Sequence, residues 1–561
     1  MKLNLIKKWL SVCLLTSSSL IAQQWNGYTY YSNTGSTAGY LIDTNSVNVN
    51  TWTFTGGTGY STHMIPGGTI FRSVQNTGNV ITGGGVTGRI QKVSYTGTVL
   101  WDYTISSATE VLHHDHCPLP NGNVLVIVYD VRSSTELAAT ACTNSTLTSM
   151  QAEKILELKP VGTNSAIIVW QWNVWDHLVQ NVDPAKANYQ TSIVNHPELL
   201  NINYLPKKDW IHMNGIDYNP ILDQIVVSSH NLNEWYIIDH STTTAEAAGH
   251  TGGIAGKGGD FLYRWGNPAA YQASGTTILN VTHDAHWIPE GVPGAGNIVG
   301  LNNKGVTSPS NKTTVDHITP PRSNYNYTIN PGNAFTPATY LSRHTSAGYT
   351  SNMGCSNQFP NGNQMICLAT AGSIYEIDAA GNTLWTKSTM GITPQAHRYT
   401  PCYVNNAAPP QPTISLSGND LVCTSATTYQ WYFNGDLLPG ANSQTYTPSQ
   451  NGIYVVRTTD ANGCVYVYSS SFIFGTPTKI NKYSNIASVE VFPNPSNGTY
   501  NIKLLGNYDY KISVKDINGK ELLTSFNAEQ IDMNSYNAGV YFMTISNDKL
   551  GSVTKKITLI K

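Results

Sequence analysis

The chain has 561 residues, which is too long for one ordinary hydrophobic core and predicts several domains. Its 31 basic and 33 acidic residues give a net charge of −2, and no basic stripe is present, so the charge pattern does not indicate nucleic-acid binding. Glycine and tyrosine are abundant, with 48 and 33 copies, and charged residues make up only 11%, which is typical of extracellular β proteins.

The N-terminus has the pattern of a secretory signal peptide over residues 1–22. Lys7 and Lys8 contribute to a basic start, and a short apolar stretch then runs from Trp9 to Ala22. We therefore expect export, with cleavage after Ala22. No later segment reaches the roughly 18 apolar residues that a membrane-spanning helix needs, so no transmembrane segment is predicted.

Six related segments recur between residues 23 and 405. Several place a turn with Pro, Asn or Gly before an apolar strand, and an aromatic β-hairpin such as Lys92–Thr104 or Ile374–Ser388 follows later in the unit. The units start at Thr62, His114, His212, His283, Asn352 and His397. A four-stranded unit repeated about six times predicts an all-β fold, a six-bladed β-propeller, over residues 23–405. The alternative is one large sandwich.

A proline-rich linker follows Val404, and residues 412–475 then alternate aromatic and polar positions. This pattern, with an Asn-Gly hairpin signal, predicts a small Ig-like β-sandwich. Cys423 and Cys464 flank this module, so we expect a disulfide between them. The sequence leaves open the pairing of the five other cysteines beyond the signal peptide, Cys117, Cys142, Cys355, Cys367 and Cys402. No Cys-x-x-Cys spacing indicates a structural zinc site.

The last segment, residues 485–561, has a characteristic set of motifs. It opens on F-P-N-P-S-N-G, continues through D-I-N-G-K-E and A-G-V-Y-F, and has a basic end. Together these motifs resemble the C-terminal sorting domain of type IX secretion substrates. The resemblance implies a small β-sandwich that directs export across an outer membrane, with the type IX secretion machinery as a partner. The protein is then secreted or held at the cell surface.

Histidines recur at related positions of the repeated units, namely His63, His114, His212, His283 and His397. Because the innermost strands of a propeller converge on one channel, this recurrence predicts a cluster of imidazoles in a ligand site. Asp115 and Asp284 each follow such a histidine. Since side chains alternate along a strand, we expect these carboxylates to anchor neighbouring strands unless a bulge intervenes. Structural roles are predicted for His116, His177, His240, His250, His317 and His344.

Longer motifs join these histidines. They are D-W-I-H-M-N-G-I-D-Y-N-P at Asp209–Pro220, I-V-V-S-S-H-N at Ile225–Asn231 and T-H-D-A-H-W-I-P at Thr282–Pro289, with W-Q-W-N-V-W-D-H-L and F-L-Y-R-W-G-N-P beside them. Together they resemble the bacterial arylsulfate sulfotransferases. The resemblance implies a six-bladed propeller that moves a sulfuryl group between phenols through a covalent sulfohistidine. It also implies aryl sulfates and phenols as substrates, and no cofactor, metal or nucleotide sulfate donor (PAPS).

The resemblance assigns catalytic roles to three histidines. His283 matches the nucleophile, His212 matches the histidine that contacts the sulfuryl group, and His114 matches a further active-site histidine. A neutral imidazole is a competent nucleophile, and a covalent intermediate divides one difficult transfer into two easier steps. His114 or His212 then suits general acid–base catalysis on the phenol.

Substrate binding is predicted for Asn214, His230, Asn231 and His397. The family pattern continues Ser-Ser-Arg, and His230 stands where that arginine is expected. Arginine is a permanent cation with a fork suited to sulfate oxygens, whereas histidine is charged only below about pH 6.5. We therefore expect activity that is weakened, shifted to lower pH or lost.

Two other functions remain open from the sequence. One is a metallohydrolase in which the histidines, with Asp115 or Asp284, hold a divalent cation. The other is a non-catalytic surface propeller that binds glycan or protein.

Overall fold

The computed structural model describes residues 23–329, 332–475, 489–504, 510–516, 520–547 and 551–560, so the predicted signal peptide lies outside the described residues. Strands dominate, and the described chain divides into two compact units, one up to Gly475 and one beyond it. The α-helices are short: α1 (Ser134–Ala139), α2 (Thr244–Ala247) and α3 (Pro401–Asn405). Single 3-10 turns occur at Val174–His177, Ile193–Asn195, Pro268–Tyr271 and Ala369–Ala371.

The larger part of the first unit is built from 28 strands. They are β1 (Tyr28–Tyr31), β2 (Ala38–Ile42), β3 (Asn48–Thr53), β4 (Thr58–Met64), β5 (Ile70–Gln75), β6 (Gly88–Val93), β7 (Val99–Thr104), β8 (Glu110–Pro118), β9 (Val124–Ser133), β10 (Ser149–Val161), β11 (Ser165–Asn173), β12 (Leu178–Val179), β13 (Leu200–Asn201), β14 (Met213–Asn219), β15 (Gln224–Ser229), β16 (Glu234–Asp239), β17 (Tyr263–Trp265), β18 (Thr282–Trp287), β19 (Ile298–Val306), β20 (Lys312–Ile318), β21 (Arg322–Ser323), β22 (Asn326–Tyr327), β23 (Ser342–Thr345), β24 (Cys355–Gln358), β25 (Gln364–Leu368), β26 (Ser373–Ile377), β27 (Thr383–Ser388) and β28 (Ala396–Tyr399).

Twenty-four of these strands form six four-stranded antiparallel sheets, which are the blades of the predicted propeller fold, while β12 pairs with β13 and β21 pairs with β22 in two separate two-stranded sheets. Blade 1 is β28-β1-β2-β3, blade 2 is β4 to β7, blade 3 is β8 to β11, blade 4 is β14 to β17, blade 5 is β18-β19-β20-β23, and blade 6 is β24 to β27. The first-named strand of each blade is its innermost strand. Each of the six repeated units seen in the sequence begins within, or a few residues before, one innermost strand.

Hydrophobic clusters lie between all neighbouring blades and close the ring. Six separate clusters join blades 1 and 2, 2 and 3, 3 and 4, 4 and 5, 5 and 6, and 6 and 1. The ring closes within blade 1, where the late strand β28 pairs with β1 so that Tyr28 lies opposite Tyr399. The two ends of the propeller segment therefore hold each other in one sheet.

Tryptophans of the aromatic repeats fill these clusters. Trp52 and Trp101 are fully buried between blades, and their indole N–H groups donate to the carbonyl oxygens of Ser94 at 3.0 Å and Ser165 at 2.7 Å. A buried indole needs such a partner, because an unsatisfied donor costs about 1–3 kcal/mol. The repeated tryptophan thus contributes apolar area and one inter-blade hydrogen bond at the same time.

The innermost strands of blades 3, 4 and 5 are bulged. The pairing register shifts within β8, β14 and β18, and the backbone has positive φ at His114 (50°), His212 (57°) and Asp284 (60°). A bulge breaks the strict alternation of side chains along a strand. Consecutive residues can therefore project toward the same end of the channel.

The remainder of the first unit consists of two facing sheets. Its strands are β29 (Ile414–Ser417), β30 (Asp420–Cys423), β31 (Tyr429–Phe433), β32 (Asp436–Leu437), β33 (Thr445–Tyr446), β34 (Gly452–Thr459), β35 (Tyr466–Tyr468) and β36 (Phe472–Phe474). One sheet is β29-β30-β33, and the other is β32-β31-β34-β35 with β36 also on β34. Trp431 lies at the centre of their core. The assignment of this sandwich to the Ig-like class stays a prediction.

The sandwich packs on the propeller through a half-buried acidic side chain. Glu290, in the connection between β18 and β19, accepts hydrogen bonds from Arg457 at 2.8 Å, from the Tyr468 hydroxyl at 3.2 Å and from the Tyr432 hydroxyl. Arg322 of the propeller pairs with Asp436 of the sandwich. Several charge-assisted bonds therefore fix the contact between the two folds.

The predicted disulfide between Cys423 and Cys464 is wrong. Cys464 pairs with Cys402, while Cys423 is a free thiol on β30, buried beside Trp431. Cys464 lies in the turn between β34 and β35, which meets α3, and Cys402 is a residue of that helix. The spacing of cysteines inside one module cannot reveal that its turn packs on the preceding linker. Cys117, Cys142, Cys355 and Cys367 are also free.

Loss of this bridge is expected to loosen the sandwich from the propeller. Cys402→Ser should lower the free energy of unfolding of the first unit by about 2–4 kcal/mol, because the bridge closes a loop of sequence separation 62. Thermal and denaturant unfolding measure the loss, and Cys423→Ala is the matched control without a bridge. Non-reducing peptide mapping should yield Cys402 linked to Cys464. A linked Cys423–Cys464 peptide would contradict the assignment.

The second unit is a separate small sandwich. Its strands are β37 (Val489–Phe492), β38 (Thr499–Leu504), β39 (Lys511–Lys515), β40 (Glu521–Phe526), β41 (Gln530–Asp532), β42 (Gly539–Asn547) and β43 (Gly551–Leu559). They form one sheet in the order β37-β38-β41 and another in the order β40-β39-β42-β43. Its core includes Tyr500, Ile512, Met543 and Ile557.

Candidate active site

Five imidazoles from blades 3, 4 and 5 form a continuous row, named here the imidazole row: His113, His114, His212, His230 and His283. Ring centroids are 5.1 Å apart for His113 and His114, 4.5 Å for His114 and His212, 4.8 Å for His212 and His230, and 5.5 Å for His230 and His283. The first two lie on β8, His212 immediately precedes β14, His230 immediately follows β15, and His283 lies on β18. The structure therefore brings together all three histidines that the sequence predicts as catalytic.

The tautomer of His283 is set by Asn303 on β19. The Asn303 amide donates to the carbonyl oxygens of Met353 at 2.9 Å and Thr350 at 3.1 Å, so its oxygen faces the Nδ1 of His283, 2.7 Å away. His283 therefore carries its proton at Nδ1, and Nε2 has the free electron pair. This Nε2 accepts the backbone N–H of Met353 at 3.1 Å. Burial and the nearby His230 hold the pKa of His283 well below its usual value, so the ring is neutral.

His212 is paired with a carboxylate. Its Nδ1 lies 2.7 Å from Oδ2 of Asp209 and 3.2 Å from the Tyr129 hydroxyl. Burial alone raises the pKa of Asp209, but the hydrogen bond and charge of His212 outweigh burial, and the pKa falls below its usual value. A histidine oriented by an ionised carboxylate exchanges protons at its other nitrogen. Asp209 is missing from the sequence prediction, although it stands three residues before His212 in the same motif.

A buried chain of groups leads to His114. Glu153 Oε2 lies 2.8 Å from Nε2 of His113, and the Nδ1 atoms of His113 and His114 are 2.8 Å apart. Burial raises the pKa of Glu153 well above its usual value and lowers the pKa of both histidines well below theirs. These opposite shifts favour the proton shared by this pair lying on Glu153, which then donates to His113. His113 in turn donates to His114, and His114 keeps its own proton at Nε2.

His230 occupies the position of the expected arginine but offers no free donor at neutral pH. Its Nδ1–H donates to the side-chain oxygen of Asn231 at 2.9 Å, whose amide donates to the carbonyl oxygen of Asp209 at 2.8 Å. Burial, together with the nearby His212, lowers the pKa of His230 to about 4. The ring is therefore neutral near pH 7, and its other nitrogen, Nε2, is only an acceptor. Both ends of the Asn231 amide are also engaged within the protein.

Two predicted substrate contacts lie apart from the row. Asn214 is fully buried: its amide donates to the carbonyl oxygen of Thr282 at 2.8 Å and accepts the Ser228 hydroxyl at 2.7 Å. It therefore ties blade 4 to blade 5. His397 lies in a second histidine cluster, with its ring 4.9 Å from that of His63 and its Nε2 3.2 Å from Gln395. No hydrogen bond or ring contact joins His397 to the row among the described residues.

The second cluster contains His63, His116, His286 and His397 and is organised by Asp115 and Asp284. Asp115 accepts from His63 at 2.9 Å and from the N–H of Ile216 at 3.3 Å. Asp284 accepts the N–H of Ser356 at 2.9 Å. Both carboxylates thus bridge neighbouring innermost strands, and the positive φ at Asp284 marks the bulge that separates it from His283. Burial lowers the pKa of His286, but the charge of Asp284 outweighs burial and raises it to about 9.

The connection between β5 and β6 packs directly on the row. A Cβ atom at Gly85 would lie 2.1 Å from ring atoms of His114, and φ there is 65°. A Cβ atom at Gly84 would lie 2.5 Å from the Cε1 atom of His212. Only glycine allows the backbone to approach both rings this closely. Blade 2 therefore contributes a wall to the site without contributing a functional side chain.

Metal ligation in the row has no geometric support. The described residues contain two groups of three histidine, cysteine or acidic ligand atoms that lie within 4.8 Å of one another. One is His177, His250 and Asp260, and the other is Asp460 with the disulfide-bonded Cys402 and Cys464. Neither group includes Asp115, Asp284 or a member of the row. The metallohydrolase considered from the sequence therefore has no such three-ligand group at the row among the described residues.

A family model described as arylsulfotransferase (ASST) matches residues 61–398, which is more than half of the chain. The chain belongs to the arylsulfotransferase family. The match runs from β4 to β28 and includes every member of the row. This arylsulfotransferase is accordingly a sulfuryl-transfer enzyme.

A second family model, a secretion system C-terminal sorting domain, matches residues 490–561. This confirms the predicted type IX sorting domain and places the arylsulfotransferase among secreted and cell-surface proteins. Within the described residues, no helix is long and apolar enough to cross a membrane.

Solved structures similar to this arylsulfotransferase differ strongly in sequence. A protein of unknown function from Bacteroides caccae is 12% identical, with 67% of this chain and 99% of that chain covered and a TM-score of 0.38. Virginiamycin B lyase from Staphylococcus aureus is 9% identical, with 70% and 90% covered and a TM-score of 0.30. The Cps50 (Swd1) β-propeller domain of Myceliophteria thermophila is 7% identical, with 65% and 89% covered and a TM-score of 0.33. A comparison with curated proteins finds no match.

Proposed function

We propose that the enzyme transfers a sulfuryl group from an aryl sulfate ester to a phenol through a sulfohistidine at His283, without PAPS. One observation carries the proposal: His283 is buried and neutral, and its proton is held at Nδ1 by Asn303. At neutral pH its electron pair therefore lies on Nε2, as a nucleophile requires, and becomes available once the Met353 N–H leaves it. Within the row, His230 is the ring next to His283, and His212 and His114 follow it at centroid steps of 4.8 Å and 4.5 Å.

In the first half-reaction, Nε2 of His283 attacks the sulfur, and the bond between sulfur and the aryl oxygen breaks. The phenolate leaves with that electron pair, and the ring becomes a sulfoimidazolium whose Nδ1–H still donates to Asn303. The hydrogen bond from the Met353 N–H to Nε2 must break first.

His114 supplies the proton that the leaving phenolate takes up. Its Nε2–H is the end of the chain from Glu153 through His113, so each proton given away is replaced along that chain. In the second half-reaction the incoming phenol returns a proton to His114 while its oxygen attacks the sulfur. The bond between sulfur and Nε2 then breaks, and its electron pair returns to His283. The two halves are mirror images, as reversible transfer between similar phenols requires.

His212 is the group suited to the negative charge on the sulfuryl oxygens. When His212 takes a proton at Nε2, Asp209 stabilises the imidazolium, which then donates from Nε2 toward the row. Such a donor is worth more in a buried site than in water, because the surroundings do not screen it.

The test is turnover with a chromogenic ester. The mature protein is incubated with p-nitrophenyl sulfate, with and without a second phenol, and without any nucleotide. We expect p-nitrophenol release that depends on the acceptor, and intact mass spectrometry should detect one added sulfuryl group when the acceptor is omitted. Absence of both turnover and adduct would overturn the proposal and favour a propeller that only binds glycan or protein.

A further inference from the structure

A group of possible metal ligands lies outside the channel, between blades 3 and 4. His177 ends the 3-10 turn that follows β11, and His250 and Asp260 lie on the long connection between β16 and β17. Oδ1 of Asp260 is 2.8 Å from Nδ1 of His177 and 2.7 Å from Nδ1 of His250. The three ligand atoms all lie within 4.8 Å of one another.

The orientation of His177 leaves an unmatched electron pair facing Asp260. Its ring is fully buried and stacks in parallel on Trp172, with centroids 5.6 Å apart. The Nε2–H donates to the carbonyl oxygen of Ala247 at 2.8 Å. A neutral ring has only one N–H, so the Nδ1 electron pair then points at a carboxylate oxygen. Either a second proton or a cation must lie between these atoms, and ligating histidines are held in this way by a carbonyl on the other nitrogen.

The segment that carries two of the ligands has little regular structure of its own. Residues 249–260 follow α2 and include four glycines with positive φ, Gly252, Gly253, Gly256 and Gly258. A Cβ atom at Gly259 would lie 2.0 Å from the carbonyl oxygen of Ala247 and 2.6 Å from Nε2 of His177. The chain is therefore folded tightly against His177. A bond through a cation would add a further link between this segment and the neighbouring blade.

We propose that His177, His250 and Asp260 bind one zinc ion that joins blades 3 and 4. Two imidazole nitrogens and a carboxylate oxygen suit tetrahedral zinc, whereas calcium and magnesium prefer oxygen ligands throughout. His250 is 59% exposed, so water has access to the fourth position. Bonds from zinc to nitrogen or oxygen are about 2.0–2.2 Å long. When zinc binds, Nδ1 of each histidine must therefore move from its hydrogen-bond distance to roughly 3.3 Å from Oδ1 of Asp260. The ion is structural and lies apart from the imidazole row.

The test is a zinc count on the whole mature protein. The protein is stripped with a chelator, dialysed against dilute zinc chloride and then against buffer, and its zinc is measured by plasma mass spectrometry. We expect His250→Ala to hold one zinc fewer per chain than wild type, because it lacks one ligand. His196→Ala is the matched control and should keep the wild-type zinc content, since His196 pairs with the carboxylate of Glu198 at 3.0 Å but belongs to no three-ligand group among the described residues.

Thermal unfolding gives a second readout. Zinc should raise the Tm of the stripped wild type and of His196→Ala, and should leave the Tm of His250→Ala unchanged, because a ligand stabilises only the state that binds it. His250 is largely exposed, so its replacement leaves the core intact. Equal zinc content in wild type and His250→Ala, or an equal rise of Tm, would overturn the site.

Discussion

Replacing His283 by alanine is expected to lower kcat for sulfuryl transfer by at least about 10³-fold, since loss of a covalent nucleophile removes the whole two-step route. The variant should also show no sulfuryl adduct when it is incubated with p-nitrophenyl sulfate alone. Initial rates of p-nitrophenol release measure the first effect, and intact mass measures the second. Circular dichroism and Tm establish that the propeller has folded.

The matched control is His317→Ala. His317 lies on β20 of the same blade as His283, and its Nε2 is near the Gln364 amide at 3.2 Å, with no contact to the row among the described residues. This variant should keep wild-type turnover. Turnover in His283→Ala close to that of the control would remove His283 as the nucleophile. An adduct that persists in the variant would move the covalent step to another residue.

His230→Arg is expected to raise turnover at pH 7 by about 10- to 100-fold, which corresponds to the roughly 1.5–3 kcal/mol of a hydrogen bond to a charged group. The native ring is neutral because its pKa is about 4, and its one N–H is used by Asn231. An arginine brings a permanent charge and several donors that match sulfate oxygens. His230→Gln is the control, since it offers a neutral amide without the charge and should not raise turnover.

The pH dependence of turnover distinguishes an effect of charge at position 230 from a change in packing there. In the native enzyme, the protonated fraction of His230 grows about tenfold for each pH unit between 7 and 5, because its pKa lies below that range. Turnover should therefore increase on acidification until His283 itself begins to take up a proton. The arginine variant should lack that increase. A native profile that is flat or falls from pH 7 to pH 5 would contradict the assigned role of His230.

The repeats in the sequence predict the propeller because each unit carries an innermost strand with its turn, and both signals are local in the chain. That His114, His212 and His283 lie close together follows from their related positions in these repeated units. The groups that set their protonation could not be found in this way. Asn303 is 20 residues from His283 and Glu153 is 40 from His113, and they meet these rings only because neighbouring strands pair and adjacent blades pack.

Other differences between the sequence predictions and the structure also have physical causes. The bulge at His283 depends on a backbone with positive φ at Asp284, and a single sequence gives no sign of it. Asn214 belongs to the same short motif as His212, but its amide is fully engaged between blades. The pairing of Cys464 with Cys402 depends on where a turn of one domain meets the linker from another.

The position of that bridge determines how the enzyme transmits mechanical tension. A protein held at a surface by its C-terminal region is pulled through the chain that follows the sandwich. Tension arriving at Cys464 passes through the sulfur atoms to Cys402, only three residues after β28 ends at Tyr399. The segment from 403 to 463 is thereby removed from the path of the force, and of the sandwich only β35 and β36, which follow Cys464, can still be extended. The load falls instead on the pairing of β28 with β1, the seam that keeps the ring of blades closed.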